Sequence, residues 1–227
     1  MVEWLHALAR ASSLPAVWLL DLDCPRIRDA ALALPPAADD LRRASSRPAR
    51  ERQGVLVRRG LARLCVAAAT DRPASEVAID WTRKGAPSLR APLAGLHLSW
   101  AQRQDRFACA LARLPVGIDI ETADGGEIPW NALHPDERAT LREADAPARE
   151  WLFLRIWAAK EAYGKALGEG LAREPTSFAV RLADADTASI ADQEAPPGQQ
   201  VRIAFAPARD RASAVALALL RTGAQPR

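Results

Sequence analysis

The chain has 227 residues, 49% of them hydrophobic and 26% charged, with a formal net charge of +3. That balance excludes a disordered or fibrous protein and leaves room for one large domain or two small ones, each with its own core. No apolar run nears the roughly 20 residues of a membrane helix, no leader pattern opens the sequence, and three scattered cysteines (Cys24, Cys65, Cys109) point to free thiols rather than disulfides or zinc. The expectation is a soluble, cytoplasmic protein.

In chain order, Val17–Leu20 predicts a short strand, and Pro35-Pro36 closes an Ala-rich segment. A helix is predicted over about Ala49–Ala68, because Val57, Leu61, Leu64 and Cys65 recur at i, i+4, i+7 and i+8. Its opposite side is assigned to solvent with Arg52, Arg59 and Arg63, while Arg58 sits beside the apolar stripe. Basic residues crowd this region: residues 1–115 carry 18 Lys+Arg against 11 Asp+Glu, and the remainder carries 13 against 17. Arg42, Arg43, Arg47, Arg50, Arg52, Arg58, Arg59 and Arg63 face one acid, Glu51, in the same stretch. Such a patch attracts phosphates, nucleic acid or an acidic protein, or is simply a solvated helix face. Leu96–Trp100 and Phe107–Leu111 then read as strands joined by the polar turn Gln102–Arg106.

After Pro115 comes a short apolar strand, Val116–Ile120, and a loop from Thr122 to Pro129. His134-Pro135-Asp136-Glu137 suits a helix start, with proline in the first turn and acids at the positive end of the dipole. A longer helix is predicted from about Ala148 to Leu167, with Leu152, Ile156, Ala159 and Tyr163 on one face and Gly168 and Gly170 ending it. Three alternating strands follow, marked by Phe178/Val180/Leu182, Val201/Ile203/Phe205 and Val215/Leu217/Leu219. A helix followed by strands thus occurs twice, which predicts two halves, 1–114 and 115–227.

The stretch Val116-Gly117-Ile118-Asp119-Ile120-Glu121 carries the strongest chemical signal. Strand alternation puts Asp119 and Glu121 on one face and sends Ile118 and Ile120 the other way, into the expected core. Two carboxylates so close repel unless a cation neutralises them. Magnesium suits such a pair, because it takes hard oxygen ligands and keeps positions open for water and phosphate; two solvated acids at a strand end are the plainer reading. In Trp157-Ala158-Ala159-Lys160-Glu161-Ala162-Tyr163-Gly164-Lys165, Trp157, Glu161 and Lys165 fall at i, i+4 and i+8 and form one row along the helix. An i, i+4 ion pair would explain Glu161 and Lys165 alone, but neither Lys160 nor the strand pair.

V-G-I-D-I-E, followed about 36 residues later by W-A-A-K-E-A-Y-G-K, resembles the two signature motifs of the 4′-phosphopantetheinyl transferase superfamily. Length and two-part organisation are similar to its surfactin-type branch. The resemblance implies an α+β fold, a pseudo-dimer of two similar α/β halves with coenzyme A in the cleft between them. The implied reaction moves the phosphopantetheine arm of coenzyme A onto a serine of an apo acyl or peptidyl carrier protein and releases 3′,5′-ADP. Asp119, Glu121 and Glu161 match the magnesium ligands, and Lys160 and Lys165 match the lysines near the pyrophosphate. The nucleophile belongs to the carrier, so this chain needs no catalytic triad. Glu161 or a metal-bound water are the candidates for the base, and Lys165 for offsetting developing charge.

In the first half, Leu56-Val57-Arg58-Arg59 resembles the helix segment that carries a 3′-phosphate arginine, which assigns that role to Arg58. The basic patch then becomes a phosphate cradle, not a nucleic-acid surface. Arg83-Lys84-Gly85-Ala86-Pro87 resembles the loop near the adenine, with Ala86 where a basic residue is expected and Lys84 or Arg83 as the substitute. His97-Leu98-Ser99-Trp100 resembles a strand whose serine, here Ser99, contacts phosphate. Trp100 stands in place of a histidine and is assigned to stack on adenine. The departures at Ala86 and Trp100 keep open an alternative, a weak or inactive relative that binds coenzyme A or a carrier protein. The carrier is expected at the loop Thr122–Trp130 and the following helix, with Ile128 or Trp130 as anchors, and the chain is expected to act as a monomer without a membrane.

Overall fold

Alternating buried and exposed residues shape the first strand, β1 (Ala16–Asp21), in a computed structural model that describes residues 14–168, 173–206 and 211–222. Gly170, named above, lies outside the described residues. The chain divides into two units, 1–113 and 114–227, and both mix a long helix with an antiparallel sheet. None of the described helices is long and apolar enough to cross a membrane.

In the first unit, three helices follow β1: α1 (Pro25–Leu32), α2 (Ala38–Ser45) and the long α3 (Ala49–Thr70). A hairpin of β2 (Ile79–Trp81) and β3 (Pro87–Leu89) precedes β4 (His97–Arg103) and β5 (Arg106–Ala112), and the main sheet has the order β1-β5-β4. Leu61, Cys65 and Val66 of α3 pack against Trp18, Leu20, Leu98, Phe107, Cys109 and Leu111 of that sheet. The apolar stripe of α3 is therefore as the sequence predicts, but the assignment of Arg59 and Arg63 to solvent is corrected. Both are buried, because α2 brings Asp39 and Asp40 against them. Arg59 donates to both acids and Arg63 to the carbonyl of Pro35 at 3.0 Å. Gly60 lets α1 approach, since a Cβ there would lie 2.5 Å from the Ala31 oxygen.

The second unit runs β6 (Val116–Thr122), α4 (Pro135–Glu143), α5 (Ala146–Ala166), β7 (Phe178–Leu182), β8 (Thr187–Asp192), β9 (Gln199–Phe205) and β10 (Ser213–Thr222). Its sheet has the order β6-β10-β9-β8-β7. Asp145 caps α5 by accepting from Ala148 N at 2.9 Å, two residues before the predicted start. His134 caps α4, with Glu137 returning a bond to its backbone at 2.9 Å, a capping box. β8 (T-A-S-I-A-D), like α1, α2 and the β2–β3 hairpin, goes unpredicted, being short and poor in periodic apolar residues.

Along β10, Ala214, Ala216, Ala218 and Leu220 are buried and belong to the core that α5 fills, while Val215, Leu217 and Leu219 are only half-buried. The register pairs Gly117 with Ala218, Asp119 with Ala216 and Glu121 with Ala214. Cross-strand partners share a face, so the acids lie on the side of β6 that meets α5. Ile118 and Ile120 project the other way and are buried, as expected, but α5 covers the face that carries the acids. A row of glycine and alanines makes the helix-facing side nearly flat, and the acids occupy it because no bulky side chain does.

Candidate active site on the second unit

The geometry begins with Gly117. A Cβ there would stand 1.9 Å from the Ala162 oxygen and 2.6 Å from the Ala166 nitrogen. Strand and helix backbones therefore touch, which sets the motif helix directly over the acidic end of β6. Helix α5 is enclosed on nearly every side: Leu154–Ile156, Ala158–Lys160, Ala162–Gly164 and Ala166 are all buried. The stripe that stays partly open is Trp157, Glu161 and Lys165, the row that helical spacing predicts.

Lys165 reaches back to β6, donating to Asp119 Oδ1 at 2.6 Å and to the Ile118 carbonyl at 3.1 Å. Asp119 is 6% exposed, so its charge needs such a partner. Burial pushes the Glu161 carboxyl above its ordinary pKa; the Asp119 charge adds to this and Lys165 opposes it. Asp119 and Glu161 thus feel one another in a partly desolvated place, the condition a divalent cation relieves. The donor set of Asp119, Glu121 and Glu161 fits a hard, oxygen-seeking cation on that ground. Among the described residues, however, the trio whose carboxylate oxygens all lie within 4.8 Å is Asp21, Asp23 and Asp105, not the predicted one.

Lys160 is turned into the fold. The residue is 4% exposed, and its ammonium donates to Glu137 Oε1 at 2.8 Å, the Pro175 carbonyl at 2.6 Å and the Phe178 carbonyl at 2.8 Å. All three donors are used inside the fold, so it offers none to a pyrophosphate. Glu137, which the sequence reading treats only as a dipole acid at a helix start, is the functional neighbour it missed. Its signal is the capping-box position three residues after His134. Ile128 and Trp130, expected as docking anchors, are half-buried against this unit's core, and Arg142 lies over the Trp130 ring at 5.8 Å.

In the first unit, Arg58 is half-buried and donates to Gln102 Oε1 at 2.6 Å. Burial lowers its pKa, Arg47 adds to that, and Glu51 opposes it. Lys84 and Gly85 sit at the exposed tip of the β2–β3 hairpin, where Gly85 has φ +85° and Ala86 N is held by Thr82 Oγ1 at 3.1 Å. Ser99 and Trp100 alternate on β4 and face opposite sides. Trp100 turns to the unit's core and meets Trp81 edge-on at 5.4 Å. Trp100 is partly buried in that packing, and Ser99 is buried on the other face. The phosphate cradle shrinks too, since Arg42 and Arg43 pair with Asp39, and Arg59 and Arg63 with the α2 acids.

Residues 115–217 match the family described as the 4′-phosphopantetheinyl transferase superfamily. The 4′-phosphopantetheinyl transferase HetI of Nostoc sp. is 29% identical over 165 residues, covering 69% of this chain and 70% of that protein. A 4′-phosphopantetheinyl transferase of Bacillus subtilis is 31% identical over 118 residues, 51% of each chain. A crystal structure of a holo-(acyl-carrier-protein) synthase from Bacillus anthracis, in complex with CoA (3′,5′-ADP), aligns with 22% identity and a TM-score of 0.41, over 48% of this chain and 97% of that one. Against the Bacillus subtilis relative the match spans about half of that protein's length.

Proposed function

We propose that this chain is a member of the 4′-phosphopantetheinyl transferase superfamily and that it transfers the phosphopantetheine arm of coenzyme A to a serine of an apo acyl or peptidyl carrier protein. The observation that carries the reading is Lys165 bonded to Asp119, with Glu161 on the same open stripe of an otherwise buried helix. The serine oxygen attacks the phosphorus that bears the arm, the bond to the nucleotide oxygen breaks, and 3′,5′-ADP leaves with the electron pair. Glu161, on the open stripe of its helix, takes the serine proton. Lys165, with two of its three donors on β6, has a third for a phosphate oxygen and sets a positive charge where negative charge develops. Asp119, Glu121 and Glu161 would hold magnesium, which when bound would supply positive charge to the pyrophosphate and the leaving group.

In the same proposal, residues 1–114 take the nucleotide end of coenzyme A and residues 115–227 meet the carrier. With Arg59 and Arg63 neutralised, the 3′-phosphate falls to Arg58, with Lys84, Gly85 and Ser99 lining the remainder. The protein works as a cytoplasmic monomer. Incubation with coenzyme A, magnesium and apo carrier proteins is expected to add the pantetheine arm to the carrier by mass spectrometry. No mass gain across several carriers would sink the enzyme reading. Arg58→Ala is expected to raise KM for coenzyme A by about tenfold, the ~1.4 kcal/mol of one charge-assisted contact. KM for dephospho-coenzyme A, which lacks the 3′-phosphate, should barely change, and equal effects on both would refute the placement.

A further inference from the structure

Lys160 and Glu137 form a closed set of bonds around the segment that carries Glu161. Besides accepting from Lys160, Glu137 Oε1 accepts from Val180 N at 2.7 Å, and its Oε2 takes the His134 backbone at 2.9 Å. Glu137 is 1% exposed, and the Lys160 ammonium lies 4.3 Å over the Phe178 ring. The pair therefore ties α5 to the first turn of α4 and to the residues that enter β7. Immediately past Glu161, the Ala162 carbonyl rests against Gly117 of β6. Glu161 stands between two anchors, one polar and one steric.

We propose that Lys160 and Glu137 act as one positioning unit, which fixes the rotation and rise of α5 so that Glu161 is presented to Asp119, and that Lys160 makes no contact with coenzyme A. A residue step in a helix is about 100° of rotation and 1.5 Å of rise, so a small slip of α5 carries the Glu161 carboxylate away from the strand acids. A buried ion pair is a poor source of stability compared with apolar side chains of the same volume. What it adds is a single register, because any shift would strand a buried charge. Groups that orient a metal's ligands without touching the metal typically change affinity or activity by about 10–100-fold when removed.

The inference rests on the transferase reading, and its test separates the two. Mn²⁺, a spectroscopic stand-in for Mg²⁺ at carboxylate sites, is titrated by electron paramagnetic resonance into the wild type, Glu137→Gln, Lys160→Met and the double variant. kcat and the KM for coenzyme A are measured alongside, and folding is checked by melting. Lys160→Met leaves a buried acid alone, so the double variant, which removes both charges, guards against a mere folding defect. Expected is a loss of Mn²⁺ affinity and kcat of about 10–100-fold in Glu137→Gln and in the double variant alike, with the coenzyme A KM within about twofold. A folded double variant that binds Mn²⁺ and turns over like the wild type would overturn the proposal, and so would failure of every variant to fold. A tenfold rise in coenzyme A KM on losing Lys160, with Glu137→Gln unchanged, would instead make Lys160 a pyrophosphate ligand. If the wild type transfers nothing yet binds Mn²⁺, the transferase reading fails while the Mn²⁺ comparison still decides the positioning role.

Discussion

Glu161→Gln is expected to lose transfer activity and, freed of metal, to melt above the wild type. The activity loss should reach at least about 10²–10³-fold in kcat, the size seen when one preorganised electrostatic group is removed from an acyl-transfer site. The stability gain follows from the raised carboxyl, whose first cause is burial and whose second is Asp119. A carboxyl that holds its proton more tightly in the folded chain than in the unfolded one opposes folding when it ionises. That penalty is full above the raised pKa and absent below the ordinary value of 4.5. In a chelating buffer near neutrality the variant should therefore melt higher, and the gap should close as pH falls through that window. A chelator is required, because a bound cation would reverse the sign. Near wild-type turnover would remove Glu161 from the site, and a lower melting point would mean that its charge supports the fold.

Gly117→Ala is expected to be among the most damaging single changes in the second unit. The added Cβ would fall 1.9 Å from the Ala162 oxygen, a backbone atom in a helix packed on nearly every side. No side chain can swing aside, so the cost should exceed the ~1–3 kcal/mol of ordinary overpacking. Gly95→Ala is the control, since a methyl added there would meet nothing within 4 Å and φ at that position is not positive; surface changes of that kind stay within about 0.5 kcal/mol. Urea unfolding followed by tryptophan fluorescence compares the two. Equal midpoints would show that α5 does not rest on β6 as described. Whatever fraction of Gly117→Ala folds should turn over slowly, because the displaced helix carries Glu161 with it.

What the sequence disclosed of this molecule depends on distance along the chain. Asp119 and Glu121 are two residues apart, and Trp157, Glu161 and Lys165 four apart, so the periods of strand and helix were enough to place each set on one face. Ile118 and Ile120 are buried as their apolar character suggests, but the helix rests on the other face, on Gly117 and the alanines of β10. Small residues give no local sign that a helix lies against them. The Arg59 and Arg63 pairs with Asp39 and Asp40 span about twenty residues, and no spacing rule reaches that far. Counting charges within one stretch therefore overstated the cradle, whose acids come from the preceding helix. Lys160 and Glu137 were hidden for the same reason, although each sits in a motif that could be read locally.

The closed bonding of Lys160 also bears on chemical reactivity. The chain has three lysines, Lys84, Lys160 and Lys165. Lys84 lies exposed at a hairpin tip, the Lys165 side chain is 28% open beside Asp119, and the Lys160 side chain is 2% open. An amine-directed reagent or an acetyl donor meets three grades of lysine in one small protein. The first reports on the hairpin tip that the nucleotide end of coenzyme A is proposed to meet, and the second on the surroundings of Asp119. The third stays silent until α5 leaves its seat, which makes a single side chain a covalent recorder of the opening of the second unit.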